Sequence, residues 1–310
     1  MASVLAVDIG GTKLEVGVVD RSGAVLVRER MPTPSDDPWP GVASLIDLVL
    51  ERAAAMGIRP SSCGVGCGGP MQDGGVTVSP LNIPGWRGFP LLDAVTTHTG
   101  LPTIVDNDAK ALALGEGWLG AAAGVGSFIA MVVSTGIGGG IVINGRLLDG
   151  ATGNAGHIGH IVVVPGGRQC ACGARGCLEA EASGTSIAAT TGRPAAEATA
   201  ATVWRAGTLV GRAVAAATVL LDLSLAVVAG SVALGFGEPF FDAAQRELDR
   251  LATIEFARHA RIRPAGLGRD GPLVGAAALS FRSAVPLDRS ARRSAGPYAR
   301  PFDPGDRTVT

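Results

Sequence analysis

Four side chains of types that commonly bind metal ions lie close together in the middle of the sequence. They are His160, Cys170, Cys172 and Cys177. Three thiolates and one imidazole form a complete tetrahedral ligand set for Zn²⁺, and a complete set leaves no open position for catalysis. The spacing therefore predicts a structural zinc site in a loop at residues 157–179, with a chance cluster of reduced cysteines as the alternative.

A second group of polar side chains surrounds a pair of glycines near the start of the chain. Residues 8–13 read Asp-Ile-Gly-Gly-Thr-Lys. Glycines allow backbone N–H groups to face an anion, and a neighbouring carboxylate can bind Mg²⁺. An ordinary Gly-Gly hairpin turn is the alternative for this segment taken alone. The predicted ligands of a polyphosphate and Mg²⁺ are Asp8, Gly10, Gly11, Thr12 and Lys13.

A third segment, residues 134–140, reads Ser-Thr-Gly-Ile-Gly-Gly-Gly and offers further backbone donors for phosphate. A Rossmann or P-loop site requires a helix directly after the glycines, and a P-loop also ends in Gly-Lys-Ser/Thr. Neither feature is present here, so we expect two facing hairpin loops instead. The predicted phosphate-binding residues of this segment are Thr135, Gly136, Gly138 and Gly139.

A run of three polar residues, Asp106, Asn107 and Asp108, follows a predicted strand and precedes a predicted helix. In α/β folds the carboxyl ends of strands are where ligands bind. Transfer of a phosphoryl group to an alcohol needs a carboxylate within hydrogen-bond reach of the attacking hydroxyl. Asp108 is therefore the candidate base, and the alternative is that Asp106 or Asp108 only caps the helix.

The elements that must position these residues begin with two strand pairs. Alternating β-branched and small residues predict strands at 4–8 and 14–19, and again at 127–134 and 140–143, the second pair joined by a glycine turn at 136–140. Each half of the chain thus contains a similar hairpin. This weak internal repeat predicts two homologous α/β lobes that face one ligand.

Apolar periodicity predicts the remaining elements. Cys63 and Cys67 fall in a strand-like run, and we expect both to be core residues. The predicted helices cover residues 41–56, 91–97, 109–118 and 202–221, the predicted strands cover 63–67, 103–105 and 225–228, and the predicted loops are a long segment at 68–90 and a glycine-rich turn at 230–237 before a helix near Pro239.

The composition excludes several classes of protein. The 310 residues carry a net charge of −1 and only two lysines, so no basic stripe is available for nucleic acid. Apolar runs are interrupted by 46 glycines and do not reach membrane-spanning length. An odd number of cysteines and the absence of a signal-peptide pattern argue against a secreted disulfide framework. We therefore expect a soluble, cytoplasmic protein.

Taken together, these motifs resemble those of the ROK family (repressor, ORF, kinase), in the family's order, over about residues 4–280. Residues 8–13 and 134–140 resemble its two phosphate motifs. Residues 153–160 and 176–179 resemble its zinc-binding signature, and residues 228–232 resemble its adenosine-side segment.

The resemblance implies two actin-like (ribonuclease-H-like) α/β lobes with a cleft between them and a small zinc knuckle. We expect an N-terminal lobe at residues 1–117, completed by a helix near 271–283, and a C-terminal lobe at 118–270. Residues 284–310 are rich in Arg, Pro, Ser and Asp without apolar periodicity, and we expect them to be disordered.

The resemblance also implies the roles of individual residues. Asn107 and Asp108 would grip a sugar, with Asp108 as base for the attacking hydroxyl, usually that on C6. His160 would bind both Zn²⁺ and the sugar, and Glu179 would accept hydrogen bonds from the sugar ring. Gly230 would lie on the nucleotide side. ATP, Mg²⁺ and structural Zn²⁺ are the implied cofactors, and a homodimer or homotetramer is the implied assembly.

Three positions depart from the family pattern. His157 stands where relatives have a glutamate, so a carboxylate acceptor for sugar hydroxyls is replaced by an imidazole. Lys110 stands where many relatives have a short polar residue, and we expect it to be solvated on the first turn of its helix. Gly69 lies in Cys-Gly-Gly-Pro where relatives commonly have Gly-Pro-Gly, and its backbone is still expected near the sugar.

The resulting prediction is ATP-dependent phosphorylation of a hydroxyl of a hexose or N-acetylhexosamine. The alternative is a catalytically weak or inactive sugar or nucleotide sensor that retains the fold. A DNA-binding repressor is not expected, because only seven residues precede Asp8. We expect neither nucleic acid nor a membrane as a partner.

Overall fold

The computed structural model describes residues 2–283, so the predicted disordered tail lies outside the described residues. A five-stranded sheet forms the first half, in the order β3-β2-β1-β4-β7. β1, β2 and β3 are antiparallel neighbours, whereas β1, β4 and β7 are parallel. Its strands are β1 (Ser3–Ile9), β2 (Lys13–Asp20), β3 (Val25–Pro32), β4 (Cys63–Cys67) and β7 (Thr103–Asn107).

A second five-stranded sheet has the same arrangement, in the order β10-β9-β8-β11-β12. Its first three strands are antiparallel and the other pairs are parallel. The matching order supports the internal repeat inferred from the two hairpins. The strands are β8 (Phe128–Val133), β9 (Ile137–Ile143), β10 (Arg146–Leu147), β11 (Leu225–Ala229) and β12 (Arg261–Pro264).

Nine α-helices are described between residues 2 and 283. Helix α9 follows the second sheet in the chain but packs against β1 and β4 of the first. This contact is close: a Cβ built on Gly64 of β4 would lie 1.9 Å from the carbonyl oxygen of Ala276. The helices are α1 (Trp39–Ala55), α2 (Leu91–Thr99), α3 (Asp108–Leu119), α4 (Leu178–Ala182), α5 (Gly184–Thr191), α6 (Ala200–Leu221), α7 (Ser231–Phe236), α8 (Glu238–Leu251) and α9 (Gly271–Ser283).

Helix α3 lies between the two sheets and contacts a glycine of each. A Cβ on Gly66 of β4 would lie 3.4 Å from the Cα of Asp108. On the other side, a Cβ on Gly140 of β9 would lie only 2.6 Å from the Cα of Lys110. Real Cβ atoms do not approach this closely, so the site helix depends on a glycine at residue 140.

The structure corrects four of the predicted elements. The segment at 230–237 is mostly helix α7, and the loop at 68–90 contains a short hairpin of β5 (Met71–Gln72) and β6 (Thr77–Val78). The turn between β8 and β9 covers only residues 134–136, because the later glycines pair within β9. Strand β7 extends to Asn107, two residues beyond the predicted strand, and α3 begins at Asp108, one residue earlier than predicted. Periodicity missed the first three of these features because the segments are rich in glycine, which carries no hydrophobic signal.

The predicted core positions Cys63 and Cys67 are both fully buried, as expected. Among the described helices, none combines the length and apolar character needed to cross a membrane.

Candidate active site

The first glycine turn joins β1 to β2, and Asp8 lies just before it, near the carboxyl end of the central strand β1. The N–H of Gly10 donates to the carbonyl of Lys13 at 3.0 Å, which closes the turn. The Thr33 hydroxyl donates to the Gly10 carbonyl at 2.6 Å and ties the turn to the end of β3. Thr12 is exposed at the tip, and the Lys13 ammonium forms an ion pair with the buried Glu15 carboxylate. The turn therefore presents a hydroxyl and backbone groups to the cleft.

Asp8 and Asp108 lie on either side of Gly66. A Cβ built on Gly66 would lie 3.4 Å from the Cα of Asp108 and 3.7 Å from Oδ1 of Asp8. Burial, followed by the charge of Asp108, raises the pKa of Asp8 to about 7. Burial also raises the pKa of Asp108. Two carboxylates in such a setting favour a bound divalent cation, which would compensate their charge.

Asn107, rather than either aspartate beside it, is the N-cap of α3. Its side-chain oxygen accepts hydrogen bonds from the N–H groups of Ala109 at 3.0 Å and Lys110 at 3.4 Å. The alternative that Asp106 or Asp108 serves only as this cap is therefore wrong. The Asp108 carboxylate accepts one hydrogen bond, at 2.9 Å, from the N–H of Ala109 and lies at the start of the helix. This hydrogen bond and the helix dipole favour a negative charge there, against the burial that raises the pKa of Asp108.

The second glycine turn, residues 134–136, lies beside the zinc-binding segment. The N–H of Ser134 donates to the carbonyl of Gly136 at 3.0 Å. Glu179 accepts a hydrogen bond from the N–H of Ile137 at 2.8 Å, and a Cβ on Gly136 would lie 2.8 Å from the same carboxylate oxygen. Glu179 thus contacts the turn, and its predicted contact with the sugar stays a prediction.

The glycines that follow this turn have packing roles of their own. A Cβ on Gly138 would lie 3.3 Å from the Cβ of Ala109 in α3, and one on Gly139 would lie 3.0 Å from the carbonyl oxygen of Gly156. Their small size is explained by close packing, so it does not by itself indicate phosphate binding. Their predicted contact with phosphate stays a prediction.

Gly230 also lies at a close backbone contact, at the end of β11. Its φ is +101°, and a Cβ there would lie 2.3 Å from the carbonyl oxygen of Val133. The next residue, Ser231, shares a hydrogen bond of 2.9 Å with the hydroxyl of Ser134. The predicted nucleotide-side segment and the second glycine turn are therefore adjacent, as a shared nucleotide site requires.

Three predicted sugar-binding residues converge from different parts of the chain. A Cβ on Gly69 would lie 3.3 Å from Cε1 of His157 and 3.4 Å from Nδ2 of Asn107. Burial lowers the pKa of His157, and the neighbouring His160 lowers it further. The His157 imidazole is therefore neutral at pH 7 and offers one donor and one acceptor. The Asn107 amide nitrogen faces the same space, because only its oxygen caps the helix.

The predicted zinc ligands form a compact cluster. One ligand atom from each of His160, Cys170, Cys172 and Cys177 lies within 4.8 Å of every other. The Sγ atoms of Cys172 and Cys177 are 3.7 Å apart, and Nδ1 of His160 is 3.6 Å from Sγ of Cys170. Zn–S bonds of about 2.3 Å place two thiolates about 3.8 Å apart at a tetrahedral centre. The donor set therefore fits Zn²⁺.

The prediction that Lys110 is solvated is wrong. Its side chain is only 2% exposed and forms ion pairs with Asp106 at 2.9 Å and Asp149 at 3.1 Å. Helical periodicity placed Lys110 at the start of a helix but carried no information about Asp149, which lies 39 residues further along the chain. Long-range pairing of this kind leaves no signal in one sequence.

Two asparagines near the site were not identified from the sequence. Asn154 accepts a hydrogen bond from the N–H of Met71 at 3.1 Å and donates to the carbonyl of Met71 at 2.9 Å. Asn82 packs over the first glycine turn, where its Nδ2 would lie 2.7 Å from a Cβ on Gly11. Asn154 lies within a glycine-rich stretch, which was the available signal for a loop with a special role.

Comparison with known proteins places this site in context. The ROK family profile matches residues 4–282. The chain is 41% identical, over 190 residues, to the glucokinase of Halalkalibacterium halodurans; the match covers 59% of this chain and 57% of that protein. It is 35% identical, over 253 residues, to the N-acetylmannosamine kinase of Citrobacter koseri, covering 76% of this chain and 85% of that one.

Among solved structures, a ROK family glucokinase from Streptomyces griseus, in complex with glucose and AMPPNP, superimposes with a TM-score of 0.79. It is 33% identical, and the superposition covers 91% of this chain and 100% of that one. The predicted α/β fold class is therefore confirmed. A profile match over nearly the whole described chain agrees with the motifs, the two matching sheets and the Cys₃His cluster: the chain belongs to the ROK family.

Proposed function

We propose that this protein is a kinase that transfers the γ-phosphoryl group of ATP to a hydroxyl of a hexose or N-acetylhexosamine. The observation that carries this proposal is the position of Asp108. Asp108 lies across Gly66 from Asp8, at the N-terminus of the helix between the sheets, and Asp8 stands at the end of the strand that leads into the first glycine turn. Relatives named as glucokinase and N-acetylmannosamine kinase support a sugar as the acceptor.

The proposed reaction assigns a task to each part of the cleft. Asp108 accepts the proton of the sugar hydroxyl, expected to be that on C6, as its oxygen attacks the γ-phosphorus. The bond between the γ-phosphorus and the bridging oxygen breaks, and ADP leaves. Asp8 would help to hold Mg²⁺, which would supply positive charge to the phosphates. The backbone of the two turns and Lys13 orient the same phosphates.

On the sugar side, we propose that Gly69, Asn107, His157, His160 and Glu179 form the acceptor pocket. A glutamate at position 157 would accept charge-assisted hydrogen bonds from sugar hydroxyls, whereas the neutral imidazole of His157 accepts only one ordinary bond. This replacement bears on which sugar is preferred. Glucose and N-acetylmannosamine are the first candidates, from the names of the relatives.

The zinc ligands are directly connected to residues of the proposed pocket. His160 is both a predicted zinc ligand and a predicted sugar contact, and Cys177 directly precedes the helix that carries Glu179. Bound Zn²⁺ would fix the orientation of both residues, so we propose a structural role for the metal.

The alternative of a sensor without turnover is not favoured. The relatives with 35% and 41% identity are named as kinases, and the carboxylates that the chemistry needs are in place. The division into lobes at 1–117, with α9, and 118–270 is likewise a proposal, supported by the two separate sheets. A homodimer or homotetramer and a cytoplasmic location stay predictions.

Replacement of Asp108 by Asn tests the assignment of the base. The wild-type protein should release ADP from MgATP only when a suitable hexose or N-acetylhexosamine is present. Asp108→Asn should reduce kcat by about a hundredfold to ten-thousandfold, because the amide cannot accept the proton. A coupled assay over a panel of sugars measures both. Asp93→Asn, which changes an exposed aspartate in the first turn of α2, is the matched control.

Absence of sugar-dependent ADP release across the panel would contradict the proposed function. Full activity of Asp108→Asn, with turnover in the wild type, would instead contradict only the role of Asp108.

Replacement of Asp8 by Asn should stabilise the metal-free protein at neutral and alkaline pH. In the folded protein the pKa of Asp8 is raised to about 7, first by burial and then by Asp108. The unfolded chain ionises near its ordinary value of about 3.9. The folded state therefore holds a proton that the unfolded state releases, and stability falls as pH rises from about 4 to about 7.

Asn has no charge to bury, so the thermal midpoint of Asp8→Asn should exceed that of the wild type by several degrees at pH 8 and by less at pH 5. Thermal unfolding without Mg²⁺ or nucleotide measures the difference. Asp20→Asn is the control with the opposite sign, since a hydrogen bond from the Ser22 hydroxyl lowers the pKa of Asp20. An Asp8→Asn midpoint at or below the wild-type value at pH 8 contradicts the account.

Replacement of Cys172 by Ser tests the zinc site. Cys172 is exposed, so the change creates no cavity and acts through the metal alone. The wild type should contain about one zinc per chain, and Cys172→Ser should lose most of it together with a fall in thermal midpoint. Cys63→Ala, which changes a buried cysteine of β4, should retain the zinc. Elemental analysis decides; equal zinc content in Cys172→Ser and the wild type would refute the assignment.

A further inference from the structure

Lys110 is a buried cation whose hydrogen-bonding groups are all used. Its ammonium group lies 2.9 Å from Asp106, 3.1 Å from Asp149 and 3.1 Å from the carbonyl oxygen of Gly153. An ammonium group has three N–H donors, so these three acceptors complete its coordination. A buried lysine without such partners is strongly disfavoured. Its position therefore depends on the segment that supplies Asp149 and Gly153.

That segment, residues 148–157, has no helix or strand of its own. It follows β10 and ends at His157, the imidazole that faces the proposed sugar pocket. Its backbone is tied to β9 at Leu148, whose N–H donates to the Ile141 carbonyl at 2.8 Å, and the N–H of Ala155 donates to the Asp149 carbonyl at 3.0 Å. Beyond these bonds the order of the segment depends on individual side-chain contacts. Lys110 supplies contacts to its first half, at Asp149 and Gly153.

The second anchor of the segment lies one residue further on. The Asn154 side chain makes two hydrogen bonds with the backbone of Met71, at 3.1 and 2.9 Å. Met71 comes two residues after Gly69, the glycine whose Cβ position lies 3.3 Å from the His157 ring. The segment is therefore attached both to α3, which carries Asp108, and to the strand that follows Gly69.

We propose that Lys110 is a positioning residue for the sugar substrate. Through Asp149 and the Gly153 carbonyl it holds residues 148–157 against α3, and so keeps His157 in the acceptor pocket beside Gly69. The substrate class rests on the proposed function, but the ordering of the segment does not. We refer to Lys110, Asp106, Asp149 and the Gly153 carbonyl as the Lys110 cluster.

A simpler role for Lys110 is to compensate the charge of Asp106. Burial raises the pKa of Asp106, and the Lys110 charge opposes that shift. Asp149 separates the two roles, because it is 53% exposed and needs no compensation of its own. Removing Asp149 leaves the pair of Lys110 and Asp106 intact while it removes one of the contacts that attach the loop segment to α3.

The experiment compares Asp149→Ala with the wild type by steady-state kinetics and by hydrogen exchange of the intact protein. We expect the sugar KM to rise about tenfold, because the loss of one charge-assisted contact leaves His157 less well positioned for the sugar. The kcat and the KM for ATP should change less than about twofold, because Asp108 and both glycine turns are untouched. Amides of residues 149–157 should exchange faster, and the thermal midpoint should stay close to that of the wild type.

Two further variants make the result specific. Asp149→Glu keeps the carboxylate and should restore most of the sugar affinity. Glu29→Ala removes an exposed ion pair with Arg52, far from the cleft, and should change neither the sugar KM nor exchange at 149–157. Lys110→Met should fold and should raise the sugar KM and the exchange rates at 149–157 as Asp149→Ala does. Its thermal midpoint should also fall, because Asp106 loses its partner.

Unchanged exchange at 149–157 in Asp149→Ala overturns the proposal, and so does an unchanged sugar KM. The exchange measurement does not need turnover. If the wild type phosphorylates no sugar, the proposed function fails, whereas the ordering role of the Lys110 cluster still stands or falls on the exchange rates.

Discussion

The close packing of α3 between the two sheets is the constraint on which the rest of the site depends. Gly140 of the second sheet leaves room for the helix backbone where a Cβ would collide, and Gly66 of the first sheet contacts the start of the helix from the other side. The first residues of the helix therefore lie between Gly66 of β4 and the glycines of β9. Asp108 and Lys110 come from that first turn, one facing the cleft and the other holding the loop that carries His157. The proposed catalytic position of Asp108 and the proposed ordering of the loop that carries His157 therefore share one physical origin.

The same arrangement has a cost in stability. Asp8 and Asp108 are brought together where water is largely excluded, and the pKa of each rises as a result. A protein selected only for stability would place amides or apolar groups there. The two carboxylates are unfavourable in the free protein and would become favourable on binding a divalent cation. Binding would therefore offset the cost in stability. This pattern of perturbed carboxyl groups in a cleft is typical of functional sites.

Much of this molecule could be predicted from the sequence because local chemistry determined it. Strand alternation around Gly10 and Gly136 predicted both hairpins, and the spacing of Cys170, Cys172 and Cys177 predicted the metal cluster. The failures were of another kind. Gly138 and Gly140 suggested a turn, yet they are strand residues whose lack of a side chain admits α3. Lys110 suggested a solvated surface residue, because one of its two partners, Asp149, is remote in the chain and such pairing has no local pattern.

Sugar and nucleotide are expected to meet at Asp108. The most direct test is a crystal structure of the protein with a sugar that it phosphorylates and a non-hydrolysable ATP analogue. One sugar hydroxyl should lie within hydrogen-bond reach of the Asp108 carboxylate, at about 2.6–3.2 Å, with the phosphates between residues 10–12 and 134–136. A sugar bound with no hydroxyl near Asp108, or a nucleotide outside the two glycine turns, would contradict the account.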